Sequence, residues 1–402
     1  VKPDKHPYTF VSFSRHPWSD VWLNRQHIMS RMARRHRVLF FSRVPRWKEY
    51  WWKLLTHEPI RWRSRAIMPS LIDLRPWPWL PGVPEWPDLD RFVDKLHVAR
   101  IRSSLRRRRW DNRIVYVWHP EMAHMVGRFG ERLSVFHCYD DYASYSWLSA
   151  GARRSIEEQI RRLLDTTDLV FAAGDAMRQT LARDDVHVIP NGVDYELFAT
   201  AYGGDEPPPA DMARIPQPIV AHVGRLHMGI DFELLTEIAR RRRDWSVLVL
   251  GPIPGTYWAE QQAAYDAFRR EPNAYHIEGK PVAELPRYLR HVRVALMAYR
   301  MTDWTRRIFP LKLFEYLAAG KPCVGPPLDE NIRYKEYVTV AGSADEWVQA
   351  IEQWLHADSD EIARKRMALA HQNSWDSRCE RILALIAQKL GEPSASTGEG
   401  GS

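Results

Sequence analysis

The run Pro310-Leu-Lys-Leu-Phe-Glu-Tyr-Leu-Ala-Ala-Gly-Lys-Pro-Cys-Val324 constrains the fold more than any other stretch, because it reads as loop, helix and strand in immediate succession. Proline suits the first position of a helix, where its missing N–H costs nothing, so Pro310 is expected to open the helix. Leu311 to Ala319 contains no breaker, Gly320 suits a left-handed cap, and Pro322 blocks any continuation. Cys323-Val324 then opens an apolar strand. A short helix between a loop and a strand presents free N–H groups at its start, and that end attracts anions, phosphate above all. Lys312 and Glu315 lie three apart and share a face. One can meet a phosphate and the other a hydroxyl, a grip suited to a nucleoside diphosphate. An ordinary surface helix with a charged pair remains the competing reading of these residues alone.

The rest of the chain alternates strands with helices, which argues for parallel sheets in an α/β fold. Tyr8–Phe13 reads as a strand, Asn24–Arg35 as a helix and Arg37–Phe41 as a second strand. Residues 44–90 are rich in Pro and Trp and poorly periodic, and are expected to form loops and short helices. Phe92–Arg109 is a basic helix. Ile114–Trp118, Leu133–His137, Leu169–Ala172 and Val186–Ile189 read as strands, with a helix over Arg153–Thr166. Gly203-Gly-Asp-Glu-Pro-Pro-Pro-Ala210 is expected to be a stiff extended spacer. The scheme then repeats: strands at Ile219–Val223, Trp245–Leu250, Ala274–Ile277 and Val294–Met297, a helix over Phe232–Arg242, and a last helix over Asp376–Leu390. At 402 residues the chain can hold two such units with full cores.

Composition narrows the class. No apolar run approaches a membrane span, and the polar start Val1-Lys-Pro-Asp-Lys-His shows no signal peptide. The three cysteines, Cys138, Cys323 and Cys379, follow no metal-ligand spacing and fit a reducing cytoplasm. Residues 391–402 are small and polar and are expected to be a flexible tail. Residues 31–110 contain 17 Arg and 3 Lys against 4 Asp and 3 Glu, a surplus of 13 positive charges in a chain of net charge +8. Tryptophans are interleaved among them, including Trp47, Trp51, Trp52, Trp62, Trp77 and Trp79. This pattern suits an anionic membrane surface, since indoles settle at the headgroup level. It also suits single-stranded nucleic acid, though less well, and a solvated basic face around core tryptophans stays open.

Further stretches fall in a familiar order. Asp168-Leu-Val-Phe-Ala-Ala-Gly174 is followed by Val188-Ile-Pro-Asn-Gly-Val-Asp-Tyr-Glu-Leu-Phe198, then by Ile219-Val-Ala-His-Val-Gly-Arg225, the 310–324 run, and Asn373-Ser-Trp375. Together they resemble the retaining glycosyltransferases of the two-domain GT-B fold, the family 4 or group 1 type. Within it they are most similar to bacterial polysaccharide and teichuronic-acid-like members. The resemblance spans most of residues 8–392 and is tightest from 165 onward. It implies two Rossmann-like domains facing across a cleft, with the C-terminal helix crossing back to the first domain. The expected division is an acceptor domain over 1–200, a linker over 201–216, a donor domain over 217–375, a returning helix over 376–390 and the tail.

Arg225 follows a strand and Gly224, where a guanidinium can grip phosphate bidentately. The resemblance implies that it contacts the donor diphosphate. The lysine expected a few residues later is missing from Leu226-His-Met-Gly-Ile230. Lys312 is expected to supply the second charge, with the N–H groups of Leu311 and Lys312. Glu315 offers two acceptors to a ribose diol, or pairs with Lys312 or Lys321. Family members often carry a second glutamate eight positions before Glu315, where Arg307 stands here, which puts the orientation of the sugar in doubt. Asp303 is a candidate for sugar hydroxyls or for capping a turn, and Arg306 with Arg307 would favour a donor bearing a carboxylate.

In the first half, His119 follows a strand and is expected to meet the donor sugar, or to be structural. Asp140 and Asp141 end another strand, where they can take an acceptor proton or position its hydroxyl, or cap the next turn. Arg15, His16 and Trp18 follow the first strand and are expected to contact the acceptor. His137 and Cys138 look like core neighbours, and Asn191 and Gly192 like a turn.

The implied activity transfers a hexosyl unit, with retention, from a UDP- or GDP-sugar to a saccharide or lipid-linked acceptor, with His119, Asp140, Arg225 and Lys312 as catalytic candidates. No metal is required, because cationic side chains can stabilise the departing diphosphate. The site is expected in the cytoplasm, against the inner membrane surface, with no nucleic acid partner. A nucleotide-sugar epimerase of the same fold, a non-enzymatic membrane or nucleic-acid adaptor, and an inactive member remain as rivals.

Overall fold

The computed structural model describes residues 8–18, 22–48, 55, 63–77, 79–83, 85–144, 148–253, 259–306 and 309–393. The chain forms two compact α/β units, one of residues 1–190 with 378–402, the other of residues 191–377.

The first unit is built on an eight-stranded sheet. Its strands are β1 (Thr9–Ser14), β2 (Arg37–Ser42), β3 (Arg65–Met68), β4 (Leu71–Leu74), β5 (Arg113–Val117), β6 (Leu133–Cys138), β7 (Leu169–Ala172) and β8 (Val186–Val188). They lie in the order β3-β4-β2-β1-β5-β6-β7-β8, and every neighbouring pair is parallel except β3 with β4. All six residues of β1 are buried, as expected for a parallel strand covered on both faces. The Asn24–Arg35 helix joins β1 to β2 with the bounds expected from sequence.

The stretch 44–90 departs from expectation, because it contributes β3 and β4 rather than loops and short helices alone. Each strand is only four residues long, and the centre of Leu71-Ile-Asp-Leu74 is a carboxylate. Asp73 is fully buried and salt-bridged to Arg75 Nε at 2.7 Å. A paired acid inside a strand interrupts the apolar run by which strands are recognised.

The second unit holds β9 (Ile219–Val223), β10 (Ser246–Leu250), β11 (Ala274–Ile277), β12 (Val294–Leu296), β13 (Cys323–Gly325) and β14 (Val338–Val340), all parallel, in the order β11-β10-β9-β12-β13-β14. Counted within the unit this is 3-2-1-4-5-6, the doubly wound dinucleotide-binding order, whose topological switch lies between β9 and β12. The first sheet has its own switch between β1 and β5. In open α/β sheets ligands bind outside the carboxyl ends of the strands at such points.

Two motif stretches meet in this unit. Val193 N–H donates to the Asn373 carbonyl at 3.2 Å, and Trp375 N–H donates to that of Val193 at 3.0 Å. Residues 201–216 contribute Ala201 and Met212 to the unit's core. The last helix spans Trp375–Leu390 and joins the first unit from Arg378, as the resemblance implied. There Cys379 Sγ approaches the Ile28 carbonyl at 3.7 Å, and Glu392 meets the Tyr8 hydroxyl and Arg132. Among the described residues no helix is long and apolar enough to cross a membrane.

Candidate functional site

The Leu311–Ala318 helix forms as read, with one adjustment: Pro310 occupies the cap position and Leu311 is the first helical residue. Pro310 has no side chain able to cap, so the cap residue offers the first turn's N–H groups no side-chain partner. Gly320, at φ +69°, terminates the helix as expected. The helix is held in its C-terminal half. The Tyr316 hydroxyl accepts from Val223 N–H at 2.9 Å and donates to the Val223 carbonyl at 2.9 Å. Just past the last turn the buried Arg366 guanidinium donates to the Gly320 carbonyl at 2.6 Å, a cation placed where the helix dipole is negative.

This places Lys312 beside the turn that follows β9. Gly224 there has φ +132°, and a Cβ would lie 2.5 Å from Lys312 Cε. Only glycine combines that backbone with that approach. A Cβ on Gly251, which follows β10, would lie 2.0 Å from the Gly224 carbonyl oxygen, so these two turns touch backbone to backbone.

Lys312 is buried, with Nζ 3.3 Å from the Tyr299 hydroxyl and 5.6 Å from the centre of its ring. Tyr299 follows β12 and stacks on His227, with ring centroids 5.6 Å apart. Burial, then Lys312 and Arg225, lower the His227 pKa to about 4. Burial and Lys312 hold His222, inside β9, well below the ordinary histidine range. Both rings are therefore disfavoured as cations. Arg225 is exposed at the carboxyl end of β9, with no ion-pair partner among the described residues. Glu315 is half-buried. Burial raises its pKa and Lys312 opposes the rise. Among the described residues it pairs with neither lysine: Lys312 turns to Tyr299, and Lys321 donates to the Arg290 carbonyl at 2.9 Å. The reading in which Glu315 merely pairs with Lys312 or Lys321 thus loses its partners among the described residues.

The structure brings together Gly224, Arg225, Leu311, Lys312 and Glu315. Sequence reasoning missed Tyr299 and His227, although Tyr299 follows β12 much as Arg225 follows β9. The backbone of Asp303 begins a short helix, Asp303–Arg306, but its side chain lies outside the described residues, as does Arg307. Arg306 is exposed.

In the first unit Arg15 and His16 follow β1, and His119 follows β5 at the switch. His119 is buried, and its Nδ1 accepts from Glu121 N–H at 3.2 Å, which puts the ring proton on Nε2 as a donor. Its pKa is lowered to about 3 by burial and then by Arg15, His16, Arg43 and Arg25. Arg15 and Arg43 both reach Glu121 Oε2, at 3.8 and 3.3 Å. Arg25, Arg43 and Glu121 escaped the sequence reading, although Arg43 follows β2 as Arg15 follows β1. Trp18 is buried edge-on against Phe40 and serves packing. Asp140 Oδ1 accepts from the adjacent Asp141 N–H at 2.9 Å, and both residues are half-buried. His137 and Cys138 lie in the core. Among the described residues no three His, Cys, Asp or Glu side chains gather to hold a metal ion.

Known proteins resemble this chain in sequence and in fold. Over 266 residues the chain is 27% identical to TuaH of Bacillus subtilis, named as a teichuronic acid biosynthesis glycosyltransferase. That match takes in 62% of this chain and 65% of TuaH, so it spans just under two thirds of the relative. HepE of Anabaena, solved in complex with UDP and glucose, superposes with a TM-score of 0.60 at 16% identity, covering 95% of this chain and 99% of that one. The sucrose-phosphate synthase of Thermosynechococcus elongatus gives 0.64 at 15% identity, over 95% and 99%. At such identities the likeness concerns the fold, which is of the GT-B class. The family model described as "Glycosyl transferases group 1" matches residues 217–357, the stretch that carries Arg225, Lys312 and Glu315. Residues 217–357 form a group 1 glycosyl transferase domain.

Proposed function

We propose that the protein is a glycosyltransferase that moves a hexosyl unit, with retention, from a nucleoside diphosphate sugar to a saccharide or lipid-linked saccharide in polysaccharide or glycoconjugate synthesis. The observation that carries this reading is the unpaired Arg225 and the buried Lys312 beside an uncapped helix start, at the switch point of a 3-2-1-4-5-6 sheet. Those groups meet the pyrophosphate and stabilise its charge as it leaves. Glu315 accepts from the ribose hydroxyls. His119 offers Nε2–H to a sugar hydroxyl, and residues 1–200 serve the acceptor while 217–375 hold the donor. The donor is a UDP- or GDP-sugar, with UDP favoured because HepE, of similar fold, is solved with UDP.

The same reading places the enzyme on the cytoplasmic face of an anionic membrane. The Pro87–Arg108 helix supports this. Trp86, Leu89 and Phe92, spaced three apart at its start, are 60%, 45% and 55% exposed, and Arg106, Arg107 and Arg108 crowd its last turn.

A thermal-shift screen of nucleotide sugars, followed by product analysis, tests the proposal. Stabilisation by one donor, transfer to a saccharide and a product of unchanged anomeric configuration would support it. Interconversion of the donor without transfer would point to an epimerase, and absence of any nucleotide binding would refute both.

A further inference from the structure

The second unit carries a cleft at the end of the Leu311–Ala318 helix opposite to Lys312. It encloses about 360 Å³ between the Asp360–Gln372 helix and the Tyr195–Ala199 helix with the turn that follows it. That volume lies at the small end of the ~300–1,000 Å³ usual for small-molecule sites. Along the longer helix Arg364, Met367, Ala368 and His371 recur every three or four residues and so share one face. Tyr195 and Tyr202 complete the lining. The Tyr202 ring packs on Gly320, where a Cβ would lie 2.7 Å from Cδ2. Gly320 stands roughly 12 Å along the helix axis from Lys312, so the cleft is separate from the phosphate-binding end.

Two features of the lining point to a ligand. The rings are preset: Tyr195 meets His371 edge-on, with centroids 4.8 Å apart, and the Tyr202 hydroxyl donates to Asp360 at 2.8 Å. The polar groups are unspent: among the described residues the Tyr195 hydroxyl, the His371 ring nitrogens and the Gln372 amide make no hydrogen bond, and Arg364 makes no ion pair. Together they offer donors and acceptors at the rim of two flat apolar rings. The face of an aromatic ring is negative, which suits the slightly positive C–H groups of a sugar ring. A phosphate fits less well. Arg364 is the one permanent cation among the described lining residues, and Asp360 stands one turn before it. A nucleobase also fits less well, because it stacks best between parallel rings, and Tyr195 and His371 stand at 83°.

We propose that this cleft is a second carbohydrate site, which takes a neutral oligosaccharide. That the oligosaccharide is the acceptor or product chain rests on the glycosyl-transfer reading, whereas the site itself rests on the preset rings and the unspent polar groups. One sugar ring lies on Tyr195, and Arg364, His371 and Gln372 meet its hydroxyls. A chain held there stays attached between transfers, which raises its effective concentration at the reacting end.

The test is titration of the full chain with maltotriose and with cellotriose, followed by saturation-transfer NMR, with UMP as competitor and UDP titrated separately. Saturable binding of at least one trisaccharide is expected, and UMP should leave it in place. Tyr195→Leu keeps most of the packing volume but removes the flat face and the hydroxyl, and should weaken binding about fivefold or more. Arg364→Ala, at an exposed position, should weaken it about threefold and guards against misfolding of the first variant. Lys365→Ala is the control, since Lys365 is paired with Glu361 and lies outside the lining. All three variants should keep wild-type UDP affinity. The proposal is overturned if the wild type binds neither trisaccharide, if both cleft variants bind as the wild type does, or if UMP displaces the sugar. Intact UDP binding without sugar binding would sink the cleft alone. Sugar binding without UDP binding would sink the donor assignment and leave the cleft standing.

Discussion

The Lys312 ammonium lies over the Tyr299 ring, 5.6 Å from its centroid, with Nζ 3.3 Å from the hydroxyl. The tyrosine thus steadies the cation by its π-face and oxygen without neutralising it, as a carboxylate would.

Arg225→Ala and Lys312→Ala should therefore each lower UDP affinity by about tenfold to a hundredfold, the range for losing a charge-assisted hydrogen bond. Tyr299→Leu should cost less than either, because it frees the lysine without removing its charge. Titration calorimetry on the three variants checks this, and wild-type affinity in both Arg225→Ala and Lys312→Ala would remove the phosphate assignment.

Gly251→Ala tests the contact between the two turns. Its new methyl would meet the Gly224 carbonyl oxygen at 2.0 Å, so the backbone around Arg225 must shift. We expect a lower melting temperature and weaker UDP binding together. Gly174→Ala is the control, since a Cβ there meets nothing within 4 Å.

Stability should depend on pH through buried histidines. His27, His119 and His137 are lowered to about 3, and His227 to about 4, from an ordinary 6.5. Between pH 6.5 and 4 the unfolded chain binds protons that the folded chain refuses. Stability is therefore complete above pH 6.5 and falls as pH drops, by on the order of 1 kcal/mol per pH unit for each ring. Urea midpoints at pH 7.5, 6 and 5 measure the slope, and His137→Gln should flatten part of it. A flat profile would contradict the burial assigned to these rings.

Membrane contact is tested by co-sedimentation with vesicles. Binding should require anionic lipid, weaken in salt, and fall severalfold in the double variant Trp86→Ala, Phe92→Ala. Equal binding to neutral vesicles would contradict the electrostatic part of the reading.

Much of the scaffold was legible before any coordinates. Asn24–Arg35, Leu169–Ala172, Ile219–Val223 and Ala274–Ile277 kept their bounds, because their patterns are strong and their ends are marked. The 310–320 run announced its helix through Pro310 and Gly320. Less was legible where topology, rather than local pattern, makes the neighbourhood. Tyr299 reaches Lys312 only because β12 lies beside β9, and Arg15 and Arg43 converge only because β1 lies beside β2. Strand order is not written in periodicity, so these partners surfaced with the fold. Asp73 hid β4 for the opposite reason: its compensation, Arg75, lies outside the strand it interrupts.

The Tyr316 hydroxyl has a mechanical consequence. The ladder between β9 and β12 pairs Val220 with Val294 and Ala221 with Ala295, and Val223 points its peptide groups the same way as Ala221. At Val223 one phenolic oxygen takes both peptide groups, so a side chain stands in for the next rung. The strand tip and the helix that carries Lys312 are thereby latched, and neither can tilt without dragging the other. A nucleotide that draws the helix inward would tighten that latch, and slower amide exchange at Val223 would register its arrival from inside the sheet.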